Sequence, residues 1–547
     1  MAEFDLVVVG AGSSGSIIAS KVANETGLKV LILEAGGSDF RPDIKTPIGY
    51  GLTFYNKNVN WRYQTKEQNN LDNRSVYCPR GKVVGGSASI NAMVYVRGQQ
   101  GDYNHWETCS SAEFGWNSVQ STFDLLEGRG DNTKGSHICV SNVEDQHEEV
   151  LEHFFSAARD LGIRYTEDMN SNANEGVGHY PITTKNGFRW TSADAFLKPA
   201  IKEKNVKIIK NAHVSKLIFD DNRVTGLEFI KNGLKKSITA RFGVVLTAGA
   251  INTPQLLMLS GVGPSKHLLD KGITPIADIK GIGQNLQDHL GIDYLFEANA
   301  KSLNRTLSSW SGRFRSLVNY IASKKGPFAL SVNQGGGFVN WKSRNEWPNL
   351  QIYFNPLTYS IKRPGKRMLL RPDKLDGFAI GFQPCRPKSR GEVYLNSSNP
   401  MDSPIIDPKF LSSEKDIYDV EAGINFVEEV TKSENLKSII VKAKSIDLEK
   451  ASIEQKKEDF KKRAVSVYHP CGTCRLGNDV ERDPVSIDFR LRGFQNIWIA
   501  DASLFPSIPS GNINSAVMML AYKASKSISQ QVNKKLASIS KEKNISD

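Results

Sequence analysis

Phe4-Asp5-Leu6-Val7-Val8-Val9-Gly10-Ala11-Gly12-Ser13-Ser14-Gly15 opens a stretch that closes on Lys29-Val30-Leu31-Ile32-Leu33-Glu34. The apolar run Leu6 to Val9, the three glycines, the apolar stretch from Ile17 and the second apolar run predict strand, turn, helix, strand. Gly10 permits the tight turn, Gly12 lets backbone reach a pyrophosphate, and Gly15 lets helix pack on strand. The helix N-terminus attracts phosphate. A bare GxGxxG is weak evidence, but this one follows a strand, opens a helix and carries an acidic residue, Glu34, about 20 residues on. The reading is a dinucleotide site with Glu34 on a ribose hydroxyl, and the stretch alone leaves nicotinamide and flavin cofactors both open.

Working outward, 547 residues exceed one ordinary core and predict more than one domain. An apolar content of 39% and a charged content of 23% describe a globular chain. No run of about 18 apolar residues suggests a membrane span. The first strand begins almost at Met1, and six scattered cysteines fit a reducing compartment, so a cytoplasmic location is expected. The net charge of +12 could mark an anionic partner. Its lysines are dispersed, with the richest cluster from Lys523 to Lys543, which argues against nucleic acid and leaves peripheral contact with an anionic inner membrane face open.

A second block runs from Pro79-Arg80-Gly81 through Gly85-Gly86-Ser87-Ala88-Ser89-Ile90-Asn91-Ala92-Met93-Val94 to Arg97-Gly98. Its small residues let backbone approach something flat and bulky, and the flanking Arg80, Asn91 and Arg97 favour a ligand over a helix contact. Arg241 to Leu246 predicts another strand, followed by a glycine turn and a helix capped by Thr253 with Pro254 in its first turn and ended at Gly261. Gly281 to His289 is polar, and either a ligand-side segment or a solvated loop. Leu350 to Asn355, Gly377 to Gln383 and Glu392 to Leu395 predict strands of a sheet solvated on one face. Nucleotide-type signals return at Gln495 to Ala500 and Asp501-Ala502-Ser503, so the first domain must be discontinuous.

Near the C-terminus stand Tyr468-His469-Pro470-Cys471-Gly472-Thr473-Cys474-Arg475 and Ser510-Gly511-Asn512-Ile513-Asn514. A histidine held between a turn-forming proline and glycines suits a general base. Cys471 and Cys474 lack partners for zinc and read as buried small residues. Trp61, Trp106, Trp116, Trp190, Trp310, Trp341, Trp347 and Trp498 read as core.

Together these blocks resemble the glucose-methanol-choline (GMC) oxidoreductases, in their choline dehydrogenase-like and alcohol dehydrogenase branch. The blocks at Arg80 to Gly98 and Gly249 to Pro264 look like that family's two signature segments. Asn285 to His289, His469 to Cys474, Asp501 to Ser503 and Gly511 to Asn514 are similar to its other landmarks. The resemblance implies an α/β fold with a discontinuous, Rossmann-like FAD-binding domain (1–150, 195–290 and 462–547). The substrate domain, α+β on an antiparallel sheet, covers 151–194 and 291–461. It places FAD against Gly10, Gly12, Ser13, Ser14, Gly15, Glu34 and Ala35, with Arg80, Gly85, Gly86, Asn91, Ala92, Met93, Val94, Val214, Asp501, Ala502 and Asn512 as further contacts. Ile90 stands where some members carry a flavin-linking histidine, which implies non-covalent FAD.

The implied chemistry is oxidation of a primary alcohol to an aldehyde by hydride transfer to flavin N5. His469 is the base, Asn512 its partner, and electrons pass to a quinone or another acceptor. An oxygen-using alcohol oxidase is the alternative, and a lyase that keeps flavin without redox turnover is a more distant one. Gln383 to Pro387 resembles the segment where fatty-acid photodecarboxylases carry a functional cysteine. Met401 to Pro404 offers no carboxylate-binding arginine and His469 is present, so Cys385 reads as packing or pocket lining.

Overall fold

The computed structural model describes residues 2–129, 137–171, 174–343, 346–362 and 369–546. Strand β1 (Ala2–Val9), helix α1 (Ser13–Thr26) and strand β2 (Val30–Glu34) form the expected strand–helix–strand unit, with β1 and β2 parallel. Leu6 to Val9 and Val30 to Leu33 are apolar and buried, as strands covered on both faces are, and only Glu34 at the end of β2 brings a charge into this buried run. Each such valine or leucine taken from water stabilises the fold by roughly 1.5–3 kcal/mol. Gly15 is what lets α1 lie this close, since a Cβ there would sit 1.9 Å from the Gly10 carbonyl oxygen.

The sheet continues with β3 (Val206–Lys210), β4 (His213–Asp220), β5 (Arg223–Lys231) and β6 (Leu234–Leu246), in the order β3-β2-β1-β6-β5-β4. The short strand Ile497–Ile499 pairs in parallel with the end of β6. Pairing of β1 with a strand some 240 residues on, and of that strand with one near the C-terminus, makes this sheet discontinuous in sequence.

Helix α2 (Gly249–Leu259) follows β6. Thr253 was expected to cap it; the helix instead starts five residues earlier, and Thr253 lies inside, fully buried. The cap comes from a distant residue, because the Asp501 carboxylate accepts hydrogen bonds from the Gly249 amide (2.8 Å) and the Thr253 hydroxyl (2.6 Å). Pro254 then sits mid-helix without an N–H to give to the carbonyl four residues back. That carbonyl, on Ala250, is taken by the Thr473 hydroxyl at 2.6 Å.

The second sheet is antiparallel. It contains β7 (Leu290–Ala298), β8 (Gly335–Val339), β9 (Leu350–Asn355) and β10 (Gly377–Pro384), ordered β8-β9-β10-β7 and extended by Ile440–Ala443. Helix α3 (Trp310–Ser323) lies between β7 and β8 in sequence, and α4 (Glu414–Lys432) packs on β10. One face of this sheet was expected to be solvated, yet β9 and β10 are buried along their whole length. The reason is that α4 and the helix Val150–Asp160 cover one face, while the other closes a large interior cavity. Glu392 to Leu395 contributes instead to a small separate sheet as Gly391–Tyr394. Trp106, Trp116 and Trp498 are core as expected, but Trp310 is 74% exposed on α3.

Candidate functional site

A cavity of about 1570 Å³ runs between the two sheets. This exceeds the ~300–1,000 Å³ of an ordinary small-molecule pocket and leaves room for a dinucleotide and a substrate together. Gly10, Gly12, Ser13, Ser14, Glu34, Ala35, Arg80, Gly86, Asn91, Ala92, Met93, Val94, Val214, His469, Asp501, Ala502 and Asn512 all line it. Gly15 and Gly85 do not; they stand behind the wall, where Gly15 seats α1 and Gly85 turns the chain at φ +86°. Arg97, expected to face a ligand, is buried in an ion-pair cluster with Glu127 and Asp124. It therefore secures the block rather than the cavity.

The dinucleotide end is made largely of backbone. Gly86, at φ +59°, approaches Gly12 so closely that a Cβ on it would lie 2.8 Å from the Gly12 Cα. Helix α1 has no side-chain cap at its N-terminus, and the Ser14 hydroxyl there is buried with no partner within the protein. An uncapped helix start with an orphaned hydroxyl at the cavity wall fits a phosphate. Glu34 accepts from the amides of Ala11 (2.9 Å) and Gly36 (2.7 Å). Burial nevertheless pushes its carboxyl up to about 7, against those two amides and Lys82.

The opposite end is made of side chains. His289 places Nε2 2.9 Å from the Cys385 carbonyl and Nδ1 3.0 Å from His469 Nδ1, while Asn512 Nδ2 lies 3.3 Å from His469 Nε2. A carbonyl can only accept, so the His289 proton is assigned to Nε2 and its Nδ1 carries a lone pair. His469 must then donate from Nδ1, which leaves its Nε2 as an acceptor at the cavity wall. Asn512 donates to that Nε2 and accepts from Gln351 Nε2 at 3.2 Å. Gln351 is held in turn by Tyr180, Tyr353 and Gln383. Every link has one donor and one acceptor, so the chain of hydrogen bonds fixes the tautomer of His469.

The loop that carries His469 is held by two side chains. Tyr468 adopts φ +70°, and its carbonyl accepts from Arg80 at 2.9 Å. The His469 amide donates to Asp288 at 2.8 Å. Burial, followed by the neighbouring His289 and Arg80, holds the His469 imidazole well below its ordinary range, so it is neutral. Gly281 to His289 is thus no solvated loop: Gln287, Asp288 and His289 are buried supports of the site. Cys385 is buried away from the cavity and contributes only its carbonyl; Cys471 and Cys474 are buried free thiols.

Sequence reasoning missed two supports. Arg189, fully buried, donates to Asn91 Oδ1 at 2.7 Å and fixes the asparagine in the cavity wall. Gln351 and Gln383 orient Asn512, and their signal was a pair of polar residues inside otherwise apolar strands.

The paired sheets, glycine-walled phosphate end and tautomer-locked histidine define a two-part dinucleotide-dependent oxidoreductase. Residues 4–291 and 387–521 match the N-terminal and C-terminal profiles of GMC oxidoreductase, and the chain belongs to that family. It is 36% identical over 546 residues to an alcohol dehydrogenase [acceptor] of Pseudomonas putida, covering 97% of this chain and 96% of that protein. It is also 32% identical over 532 residues to an oxygen-dependent choline dehydrogenase of Vibrio vulnificus, covering 95% and 93%. Pyridoxine 4-oxidase from Mesorbium loti superposes with a TM-score of 0.83 at 26% identity, over 95% of this chain and 98% of that one. Formate oxidase has the same fold, with a TM-score of 0.89 at 24% identity over 97% and 98%. As a member of this family the protein is an FAD-dependent oxidoreductase acting on CH–OH donors.

Proposed function

We propose that the protein oxidises a primary alcohol to the aldehyde, with His469 as general base and a quinone or another acceptor regenerating the cofactor. The observation that carries this is the directed hydrogen-bond chain that presents a neutral His469 Nε2, with its lone pair, to the cavity. An alcohol proton is very weakly acidic, so a base within hydrogen-bond reach must take it as the carbon-bound hydrogen leaves with its electron pair. His469 Nε2 takes that proton. The alcohol hydroxyl replaces the Asn512 amide as the donor to Nε2, and Asn512 turns its N–H onto the alcohol oxygen and holds it there. Bound FAD supplies the hydride acceptor, flavin N5.

Gly10, Gly12, Ser13, Ser14, Glu34, Ala35 and Val214 hold the ADP half. Arg80, Gly86, Asn91 to Val94, Asp501 and Ala502 flank the flavin, with Gly15 and Gly85 shaping the wall from behind. Ile90 lines the cavity and has no nucleophile, which supports non-covalent attachment. The sparse cysteines support a cytoplasmic setting. The domain limits proposed are 1–150, 195–290 and 462–547 for the FAD domain and 151–194 and 291–461 for the substrate domain.

An anaerobic screen of choline, alkanols, aryl alcohols and polyols, followed by bleaching of the flavin band, tests the reading. At least one alcohol class should bleach the flavin; protein that stays yellow with every alcohol overturns it. Hydrogen peroxide formed in step with turnover would replace the acceptor-linked dehydrogenase by an oxidase.

A further inference from the structure

Helix α3 is inside out. Its inward side is small or polar, with Gly312, Ser316 and Tyr320, and the Tyr320 hydroxyl donates to the Gly187 carbonyl at 3.0 Å. Trp310, Phe314, Leu317, Val318 and Ile321 face outward, at 74%, 55%, 42%, 49% and 63% exposure. At 3.6 residues per turn these five fall on one arc of about 100°, the width of a stripe that ordinarily faces a core. Trp310 and Phe314 stack at 5.5 Å, forming a flat aromatic plate. Arg313 falls on one flank of the stripe and Arg315 on the other, and among the described residues neither has a carboxylate partner.

The stripe meets the mouth of the catalytic cavity. Leu317 and Arg313 line that cavity, as do Leu52 and Ile361, which are also exposed apolar residues. Arg371 and Lys374 add positive charge at the same rim. The acidic residues nearby are engaged: Asp373 with Lys444, Asp376 with Arg305, and Asp145 with Lys325. Among the described residues no helix is long and apolar enough to cross a membrane. A second copy seated on this stripe would bring both arginine flanks against their like, whereas an anionic lipid surface satisfies both the stripe and its flanks.

The geometry points to α3 as an interfacial helix that seats the protein on an anionic bilayer, with the cavity mouth opening onto the lipid. Trp310, Phe314 and Ile321 enter the acyl boundary while Arg313 and Arg315 reach back to lipid phosphates. Resting on the alcohol-oxidising reading above, the substrate class that gains from this entrance is an apolar, long-chain alcohol already dissolved in the bilayer.

Sedimentation of the holoenzyme with vesicles of phosphatidylcholine, alone or mixed with phosphatidylglycerol, tests the docking without any turnover. Wild type should bind the anionic vesicles and bind the neutral ones more weakly. Trp310→Ser/Phe314→Ser/Ile321→Ser should lower anionic binding at least tenfold, and Arg315→Glu by about fivefold or more. Both should keep their FAD and their turnover of a short, water-soluble alcohol, since none of these residues lines the cavity. Wild type that fails to bind, or a triple variant that binds as wild type does, overturns the proposal. So does a wild-type dimer that ignores vesicles and becomes monomeric in the triple variant, which would assign the stripe to self-association. Equal turnover of a vesicle-dissolved long-chain alkanol by wild type and triple variant overturns uptake from lipid.

Discussion

At the Glu34 end the cavity wall is backbone: glycines at 10, 12 and 86, two amides on the Glu34 carboxylate, and an uncapped helix start. At the His469 end it is side chains, drawn from the loop before β7, from β9 and β10, and from two C-terminal loops. Backbone recognition suits a large, constant cofactor, because peptide groups cannot rotate away. Side-chain recognition suits a reacting atom, because only side chains carry a base and can be locked in one tautomer. The two ends should therefore fail separately when mutated.

The largest separation is expected from His469→Ala. Flavin reduction should fall by about 10² to 10⁴, the range for a lost acid-base group, with FAD content unchanged. Anaerobic stopped-flow reduction and the flavin-to-protein absorbance ratio check this; reduction at the wild-type rate would remove His469 from the mechanism.

His289→Ala should cost less, about 10- to 100-fold, as for other groups that orient a reacting ligand from behind. It also has a pH signature. His289 helps hold the His469 imidazole below its ordinary range, so wild-type reduction should stay flat through pH 6.5 and decline only at lower pH. In His289→Ala that acid limb should move upward, toward 6.5. Stability follows the same sign. Unfolded His469 takes up a proton near 6.5 and the folded residue does not, so its contribution is complete above that pH and is lost as pH falls below it. A Tm–pH profile that His469→Ala leaves unchanged would show the histidine is not buried as described.

Gly86→Ala tests the other end. A Cβ there meets the Gly12 Cα at 2.8 Å from a left-handed backbone, so the two loops must separate. FAD affinity should fall about tenfold, while enzyme saturated with FAD keeps its reduction rate; the reverse pattern would mean that the two ends are not independent. The smallest effect is expected from Thr473→Val. It removes the donor to the Ala250 carbonyl and should cost about 1 kcal/mol in denaturant unfolding, with kinetics unchanged.

The dinucleotide unit was legible because its signal is local. Every residue from Leu6 to Glu34 that forms the turn, the helix contact and the acidic strand end lies within one strand–helix–strand unit. The start of α2 was misplaced by five residues, since its cap is the carboxylate of Asp501 from the far end of the chain. Arg97 read as a ligand contact because a charged residue beside small ones looks alike whether it faces a cavity or a buried carboxylate.

The sequence alone determined the dinucleotide-type strand–turn–helix unit and the strands of both sheets, because glycine spacing and apolar runs act over short range, while FAD and the pairing of His469 with Asn512 came from the resemblance of several distant blocks to one family. Tertiary structure decided the rest. Which nitrogen of His469 holds the lone pair depends on the Cys385 carbonyl, immediately after β10, and on His289, which precedes β7. The outward turn of Trp310 depends on what lies beneath α3. A side chain's hydrogen-bond role and exposure are properties of its neighbours in space, and no local pattern encodes them.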